Sequence, residues 1–305
     1  MKYRRLGKTD LKISVIGLGT WQFGGEWGRD YQVSEVRSIL LRASELGYNF
    51  IDTAECYGDH LSEQLIGQAL RNHRKDFIIA TKFGHRYTKL FEREDYYHPT
   101  AVLKQLEDSL RALKIDHIDL YQFHSGSDAQ FNTPGLWEML QKQVELGKIR
   151  FLGISIGSHQ NIYQAEQAER IHPKVIQVVY NRLEREAEEK LLKLCQEKEI
   201  GVITRVPLAS GLLSGKYSLQ SIFPKNDVRN LYGQKWQQRA ISQVEEILRM
   251  EVPQGMNPSQ WALSWCLQHP AVACVIPGCK DVKQVEMNGM AADLELVSDQ
   301  HPQAE

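Results

Sequence analysis

Short runs of almost unbroken apolar residues recur along this chain, at residues 15–19, 48–52, 77–81, 118–123, 151–154, 175–179, 201–204 and 273–276. Continuous rather than alternating apolarity means burial on both faces, as parallel strands beneath helices require. Between the runs the apolar positions return every third or fourth residue. Val36, Ile39, Leu40 and Ala43 share one helical face between Ser34 as cap and Gly47 as stop. Leu61, Leu65, Ile66 and Ala69 form a second face. Thr100 caps a third, carrying Leu103, Leu106, Leu110 and Leu113, and Thr133-Pro134 opens a fourth, with Leu136, Leu140 and Val144 before Gly147.

Eight strand–helix units without a low-complexity linker predict an α/β fold, a closed (β/α)8 TIM barrel forming one domain over residues 1–305. Residues 2–13, turning at Gly7-Lys8-Thr9-Asp10, predict a short N-terminal β-hairpin. Residues 84–97, 125–132 and 217–236 break the rhythm. Each follows a strand and reads as a long loop on the catalytic face of a barrel.

Three successive strands finish in ionisable groups: Asp52 with Tyr57 just beyond it, Lys82, and His124. Side by side and parallel, they would bring these groups together where such sheets place ligands. A phenol of pKa about 10 donates poorly at neutrality unless a cation favours its phenolate. Lys82 is suited to be that cation, Asp52 to neutralise it, and His124 to position a carbonyl oxygen or share the proton transfer. Taken singly, each also fits a bland role: a packed aromatic, a surface charge, a core histidine.

Composition narrows the partners. With 42% hydrophobic and 25% charged residues and a net charge of -1, nothing points to nucleic acid or a membrane surface, and a small-molecule ligand fits better. Residues 1–6 lack the apolar core of a secretory signal, so a cytoplasmic protein is expected. Five cysteines without a Cys-x-x-Cys pair suggest reduced thiols, with Cys56 and Cys279 inside functional stretches. No His-x-His or carboxylate cluster at the strand ends supplies metal ligands, so no metal is expected.

Two later stretches suit an anion. Pro207 to Tyr217 follows the seventh strand and is rich in glycine and serine, with Lys216 near its end. Ile276-Pro277-Gly278-Cys279-Lys280 follows the eighth, just before a helix. Barrels commonly bind phosphate at these two loops. Neither is a P-loop, and Gly17-Leu18-Gly19 with Gln22 is no Rossmann fingerprint.

Leu18-Gly19-Thr20-Trp21, Asp52-Thr53-Ala54 with Tyr57-Gly58 and Ser62-Glu63, and Ala80-Thr81-Lys82 together resemble the aldo-keto reductase superfamily. So do Asp119-Leu120-Tyr121-Gln122-Phe123-His124, Pro207-Leu208 with Gly211-Leu212-Leu213, and Ile276-Pro277-Gly278 with Gln284 and Asn288. The match covers nearly the whole chain and is similar to the bacterial and potassium-channel β-subunit branch in its Gly-Leu-Leu-Ser-Gly-Lys-Tyr loop. The resemblance implies a barrel that binds NADPH (or NADP+) and reduces aldehydes or ketones reversibly. Tyr57 would donate the proton, Lys82 and Asp52 would tune it, and His124 would orient the carbonyl.

It also implies that Ser155 and Gln177 hold the nicotinamide carboxamide, with Thr20 and Trp21 near the ring and Gly19 and Asp52 alongside. Val206, Pro207, Leu208, Ala209, Ser210, Gly211, Leu213 and Lys216 would wrap the pyrophosphate, Arg205 would stand at the nicotinamide, and Gly278 would border the cofactor. Lys280 would meet the adenosine 2′-phosphate, with Gln284 and Asn288 near the adenine. The other reading of the resemblance is a cofactor-sensing binding subunit with slow turnover; oligomers are compatible with either. Trp21, Phe83, Tyr87 and Trp137 either line an apolar mouth or pack.

Two departures from the family pattern stand out. Ile156 follows Ser155 where relatives usually carry asparagine, and Arg205 replaces the aromatic residue that commonly stacks on the nicotinamide. A guanidinium can stack but brings a positive charge to the ring. Replacing it, as Arg205→Tyr, is therefore expected to change cofactor affinity or potential; an unchanged cofactor titration would refute this.

Overall fold

The computed structural model describes residues 1–71, 73–157, 162–171 and 173–305. β1 (Tyr3–Arg5) and β2 (Lys12–Ser14) form the antiparallel N-terminal hairpin. The strands of the main sheet are β3 (Leu18–Gly19), β4 (Phe50–Asp52), β5 (Ile78–Phe83), β8 (Ile118–His124), β9 (Ile149–Ser155), β10 (Val175–Val179), β11 (Gly201–Arg205) and β12 (Val272–Val275). They pair in parallel in that order. The two edges meet: Gly17 N–H donates to Val275 O at 2.8 Å, Gly19 N–H to Pro277 O at 3.0 Å, and Ile16 bridges Val275. Edge closure makes the sheet a (β/α)8 barrel with no unpaired rim. At this seam a Cβ on Gly278 would lie 1.5 Å from the Gln22 amide, so any side chain there would push that amide aside.

Helices α1 (Val33–Glu45), α2 (Leu61–Ala69), α3 (Pro99–Leu113), α4 (Asp128–Phe131), α5 (Leu136–Glu145), α6 (Tyr163–Glu166), α7 (Ala168–Ile171), α8 (Leu191–Glu197), α9 (Gln234–Met250), α10 (Pro258–Leu267) and α11 (Val282–Gly289) follow the strands. None of the helices described is long and apolar enough to cross a membrane.

Several boundaries differ from the sequence expectation. α1 starts after Gln32 rather than at Ser34, because Glu35 reaches back to accept the Gln32 N–H at 2.9 Å. His98, not Thr100, precedes α3, since Pro99 takes the first helical position, where its fixed φ is an advantage. α5 begins after Gly135 (φ 77°), leaving Thr133 and Pro134 outside; the Thr133 hydroxyl instead closes α4 on Gln130 O at 2.7 Å. Residues 84–97 are not a plain loop but contain the hairpin of β6 (His85–Lys89) and β7 (Glu92–Asp95). The loop after β11 ends at Gly233, so Trp236 lies within α9.

The hairpin plugs the amino-terminal end of the barrel. Leu6, Leu11 and Ile13 pack with the inward-facing Phe50, Ala80, Leu120, Val175 and Ile203. At the same end Asp119 accepts bonds from Ile79 N–H, Arg74 and Arg150 at 2.9, 2.9 and 2.7 Å, tying three segments together. Residues 303–305 run beside β1, with Glu305 N–H donating to Tyr3 O at 3.1 Å. Residues 303–305 thus lie at the end of the barrel opposite the carboxyl ends of the strands.

Leu11→Ala, at 1% exposure, is expected to lower unfolding free energy in urea by about 2–5 kcal/mol. Ile222→Ala, at 93% exposure, should stay within about 0.5 kcal/mol of the parent.

Candidate active site at the strand ends

Inward-facing side chains recur every second residue along a strand. One such step beyond Phe50, Ala80, Leu120, Val175 and Ile203 stand Asp52, Lys82, Gln122, Gln177 and Arg205. The barrel interior therefore turns from apolar to polar across one pleat.

Lys82 Nζ donates to Asp52 Oδ1 at 2.6 Å and to Thr53 O at 2.7 Å, and reaches Tyr57 Oη at 3.4 Å. Asp52 Oδ2 accepts from Gln177 Nε2 at 2.7 Å and Gln122 Nε2 at 3.1 Å. Lys82 and Asp52 are 1% and 2% exposed, so their charges are compensated by each other and by amide dipoles rather than by water. Burial opposes the Lys82 charge, but Asp52 and Tyr57 together outweigh it and hold the ammonium above its ordinary pKa. Burial pushes the Tyr57 phenol up to about 12, with Lys82 pulling the other way. Tyr57 is thus a neutral donor with the cation that would receive its phenolate already beside it.

His124 is held well below its usual pKa, first by burial and then by Lys82, His85 and Arg205. Its imidazole is neutral at pH 7. Cys56 Sγ lies 3.7 Å from Nδ1; burial keeps this thiol protonated, so it can donate to Nδ1 and leave the ring proton on Nε2. Trp21 stacks on Tyr57 at 5.9 Å, its indole N–H donating to Glu26 at 2.5 Å. Glu26 also binds Arg93 and the Phe91 N–H, joining the loop after β3 to the β6–β7 hairpin.

A cavity of about 400 Å³ opens beside this cluster. Asp52, Tyr57 and His124 line it together with Gly19, Thr20, Trp21, Gln177, Arg205, Val206, Pro207, Leu208, Ser210, Gly211, Lys216, Gly278, Lys280, Gln284 and Asn288. Lys82 lies behind Tyr57. Three residues expected at the cofactor are not in the wall. Ser155 is fully buried behind Gln177, donating to its Oε1 at 3.4 Å, while Ala209 and Leu213 turn into a cluster with Ile241, Val244 and Trp261. Of the aromatic residues considered, Trp21 lines the mouth; Phe83 and Trp137 are core, and Tyr87 lies on the hairpin outside the wall.

The loop after β11 carries Val206 (φ 56°), Ala209 (φ 47°), Ser210 (φ 57°) and Gly211 (φ 92°). Positive φ is costly for a β-branched residue and persists where surrounding structure enforces it, commonly at ligand-binding sites. On the opposite wall Asp281 accepts the Gln284 N–H at 2.8 Å, and the Gln284 side chain accepts the Lys280 N–H at 2.9 Å. Asn288 donates to Cys279 Sγ at 3.3 Å. Arg205 donates to Ile156 O at 3.1 Å, and its buried Nε has no partner among the described residues.

Sequence reasoning placed Cys56 inside a functional stretch but missed its approach to His124, and it missed Gln122, Glu55, His85 and Arg93. Gln122 had a signal, since it stands two residues before His124 and so shares its face. Glu55 and Cys56 have none, because the loop rather than a period brings them to His124.

A parallel barrel with a phenol, an ammonium–carboxylate pair and a neutral imidazole gathered at a cleft defines a barrel enzyme equipped for proton transfer. The chain belongs to the aldo/keto reductase family, which it matches over residues 15–305. It is 32% identical over 306 residues to the uncharacterized oxidoreductase YqkF of Bacillus subtilis, covering 100% of this chain and 95% of that one. It is 29% identical over 312 residues to a probable voltage-gated potassium channel subunit beta of Arabidopsis thaliana, covering 96% and 92%. Among solved structures, the holo form of the aldo-keto reductase AKR11C1 from Bacillus halodurans superimposes with a TM-score of 0.79 at 31% identity, covering 99% and 94%. Family membership makes the chain an oxidoreductase of carbonyl chemistry and bears out the branch read from the 211–217 loop.

The depressed pKa of His124 gives stability a definite pH dependence. In the unfolded chain the imidazole takes up a proton near pH 6.5; in the folded chain it resists until lower pH. Its contribution is therefore complete above about pH 6.5 and is lost as pH falls below it. Thermal unfolding from pH 7 to 5 should show His124→Gln with a shallower loss than the parent, by at most about 1.4 kcal/mol per pH unit. His269 and His301, also depressed and not among the groups that act on His124, contribute equally to both proteins.

Proposed function

We propose that this protein is a cytoplasmic NADPH-dependent carbonyl reductase, reversible as an alcohol dehydrogenase, with Tyr57 as proton donor. The observation that carries the reading is the Lys82 ammonium, bonded to Asp52 and within 3.4 Å of the Tyr57 hydroxyl at the wall of the cleft.

The cleft suits a dinucleotide. Glycine approaches at Gly19 and Gly278, positive-φ backbone at residues 206–211, and Lys216 and Lys280 in one wall offer amides and cations to phosphates. Arg205, with an unpartnered buried Nε, offers a further donor. Bound NADPH would supply the hydride. Gln177 would turn its amide toward the carboxamide, with Ser155 fixing Gln177 from behind. His124 Nε2–H would orient the carbonyl oxygen, and Tyr57 Oη would hand it a proton. Lys82 would stabilise the phenolate, while Asp52 keeps the ammonium in place. Trp21 and Trp27, with their edge-to-face contact, would bound the substrate side.

The test is NADPH and NADH oxidation in parallel over sugars, aldehydes, quinones and pyridoxal. Tyr57→Phe is expected to reduce kcat by about 10²–10⁴-fold while NADPH fluorescence quenching persists. Neither quenching nor turnover in the parent would end the proposal. Single-turnover hydride transfer with background steady-state turnover would favour a cofactor-sensing subunit, the reading that the channel-subunit relative supports.

A further inference from the structure

Glu55 is a buried carboxyl that the proton-transfer cluster leaves unused. Its Oε1 accepts the His85 N–H at 3.0 Å, which anchors the group. Its Oε2 has no hydrogen-bond partner among the described residues, although the residue is 2% exposed. That oxygen lies 3.9 Å from His124 Nδ1, and Cys56 Sγ lies 3.7 Å from the same nitrogen. All three donor atoms fall within 4.8 Å of one another. Tetrahedral zinc, with sulfur at about 2.3 Å and nitrogen or oxygen at about 2.0–2.2 Å, separates its ligand atoms by roughly 3.4–3.6 Å. A few tenths of an ångström on the two His124 distances, and a side-chain movement of up to about 1.3 Å between Glu55 Oε2 and Cys56 Sγ, would close the set around an ion.

We propose that Glu55 Oε2, Cys56 Sγ and His124 Nδ1 form a binding site for a divalent cation of the zinc class. Cys56 and His124 line the cleft, so the ion has an entry path and its fourth position faces the cavity. Thiolate and imidazole select zinc, cobalt or copper over magnesium and calcium. One thiolate and one carboxylate neutralise the ion, as a buried site requires. Three of the neighbouring basic groups already have partners: Lys82 is paired with Asp52, Arg93 with Glu26 and His60 with Glu63. His85 and Arg205 also face the cluster. On binding, the Cys56 S–H bond breaks, the sulfur lone pair goes to the metal and the proton leaves to solvent. Glu55 loses any proton it carries, and Nδ1 offers its lone pair with the ring proton on Nε2. Burial raises both the thiol and the Glu55 carboxyl, so affinity must climb with pH.

The experiment is a Co²⁺ titration of tag-free, chelator-treated full-length protein, read by absorption and independent of turnover. The expected result is one equivalent bound with tetrahedral visible bands and a near-ultraviolet thiolate charge-transfer band, displaced by Zn²⁺. Apparent affinity should rise at least about tenfold per pH unit. Cys56→Ser should abolish the charge-transfer band, and Glu55→Gln should keep it while weakening binding about tenfold. A weak octahedral spectrum in the parent overturns the proposal whatever the variants do. So does a band undiminished in Cys56→Ser, or binding equal in all three proteins, which would place the ion on surface pairs such as His73 and Asp76.

Discussion

Removing an ammonium and a carboxylate from water costs several kcal/mol per ion, which is recovered only when geometry and flanking hydrogen bonds are good. Lys82 and Asp52 meet that condition through bonds drawn from four strands. Asp52 comes from β4, Lys82 from β5, Gln122 from β8 and Gln177 from β10. The pair can exist only if the barrel closes in this register, and the register places Tyr57 next to the ammonium. A one-residue slip of any contributing strand would turn its polar residue outward and leave a buried charge unpaired.

The same buried charges set the character of the rest of the cleft. Burial first, and then Lys82, His85, Arg205 and Arg93 around it, keep the His124 imidazole neutral, so it serves as a hydrogen-bond donor rather than as a cation. Cys56, by contrast, is the protonated form of a potential anion in this electropositive wall, and burial outweighs the neighbouring cations to raise the Glu55 carboxyl as well. The site therefore combines fixed cations with neutral hydrogen-bond donors, an arrangement suited to developing negative charge on an oxygen.

Much of this was legible in the amino-acid order. Each barrel strand is apolar on both faces, so eight unbroken runs announced eight strands, and Asp52, Lys82 and His124 stood out as ionisable ends to such runs. Gln122 did not, being neutral and set between Tyr121 and Phe123. The β6–β7 hairpin escaped because both its faces are polar and largely exposed, leaving no alternation to read. Helix starts were displaced where a reciprocal bond from Glu35, a proline at the first turn or a positive-φ glycine decided the boundary. Ser155 was assigned to the ligand, yet lies behind Gln177, since facing the interior does not fix which side chain stands in front.

The tail that runs beside β1 has a practical corollary. Arg4 bridges Ala304, so residues 3–5 and 303–305 lie together at the plugged end of the barrel, remote from the cleft. Tethering the molecule to a bead or electrode through side chains on that face would leave the reactive mouth turned toward the bulk solution.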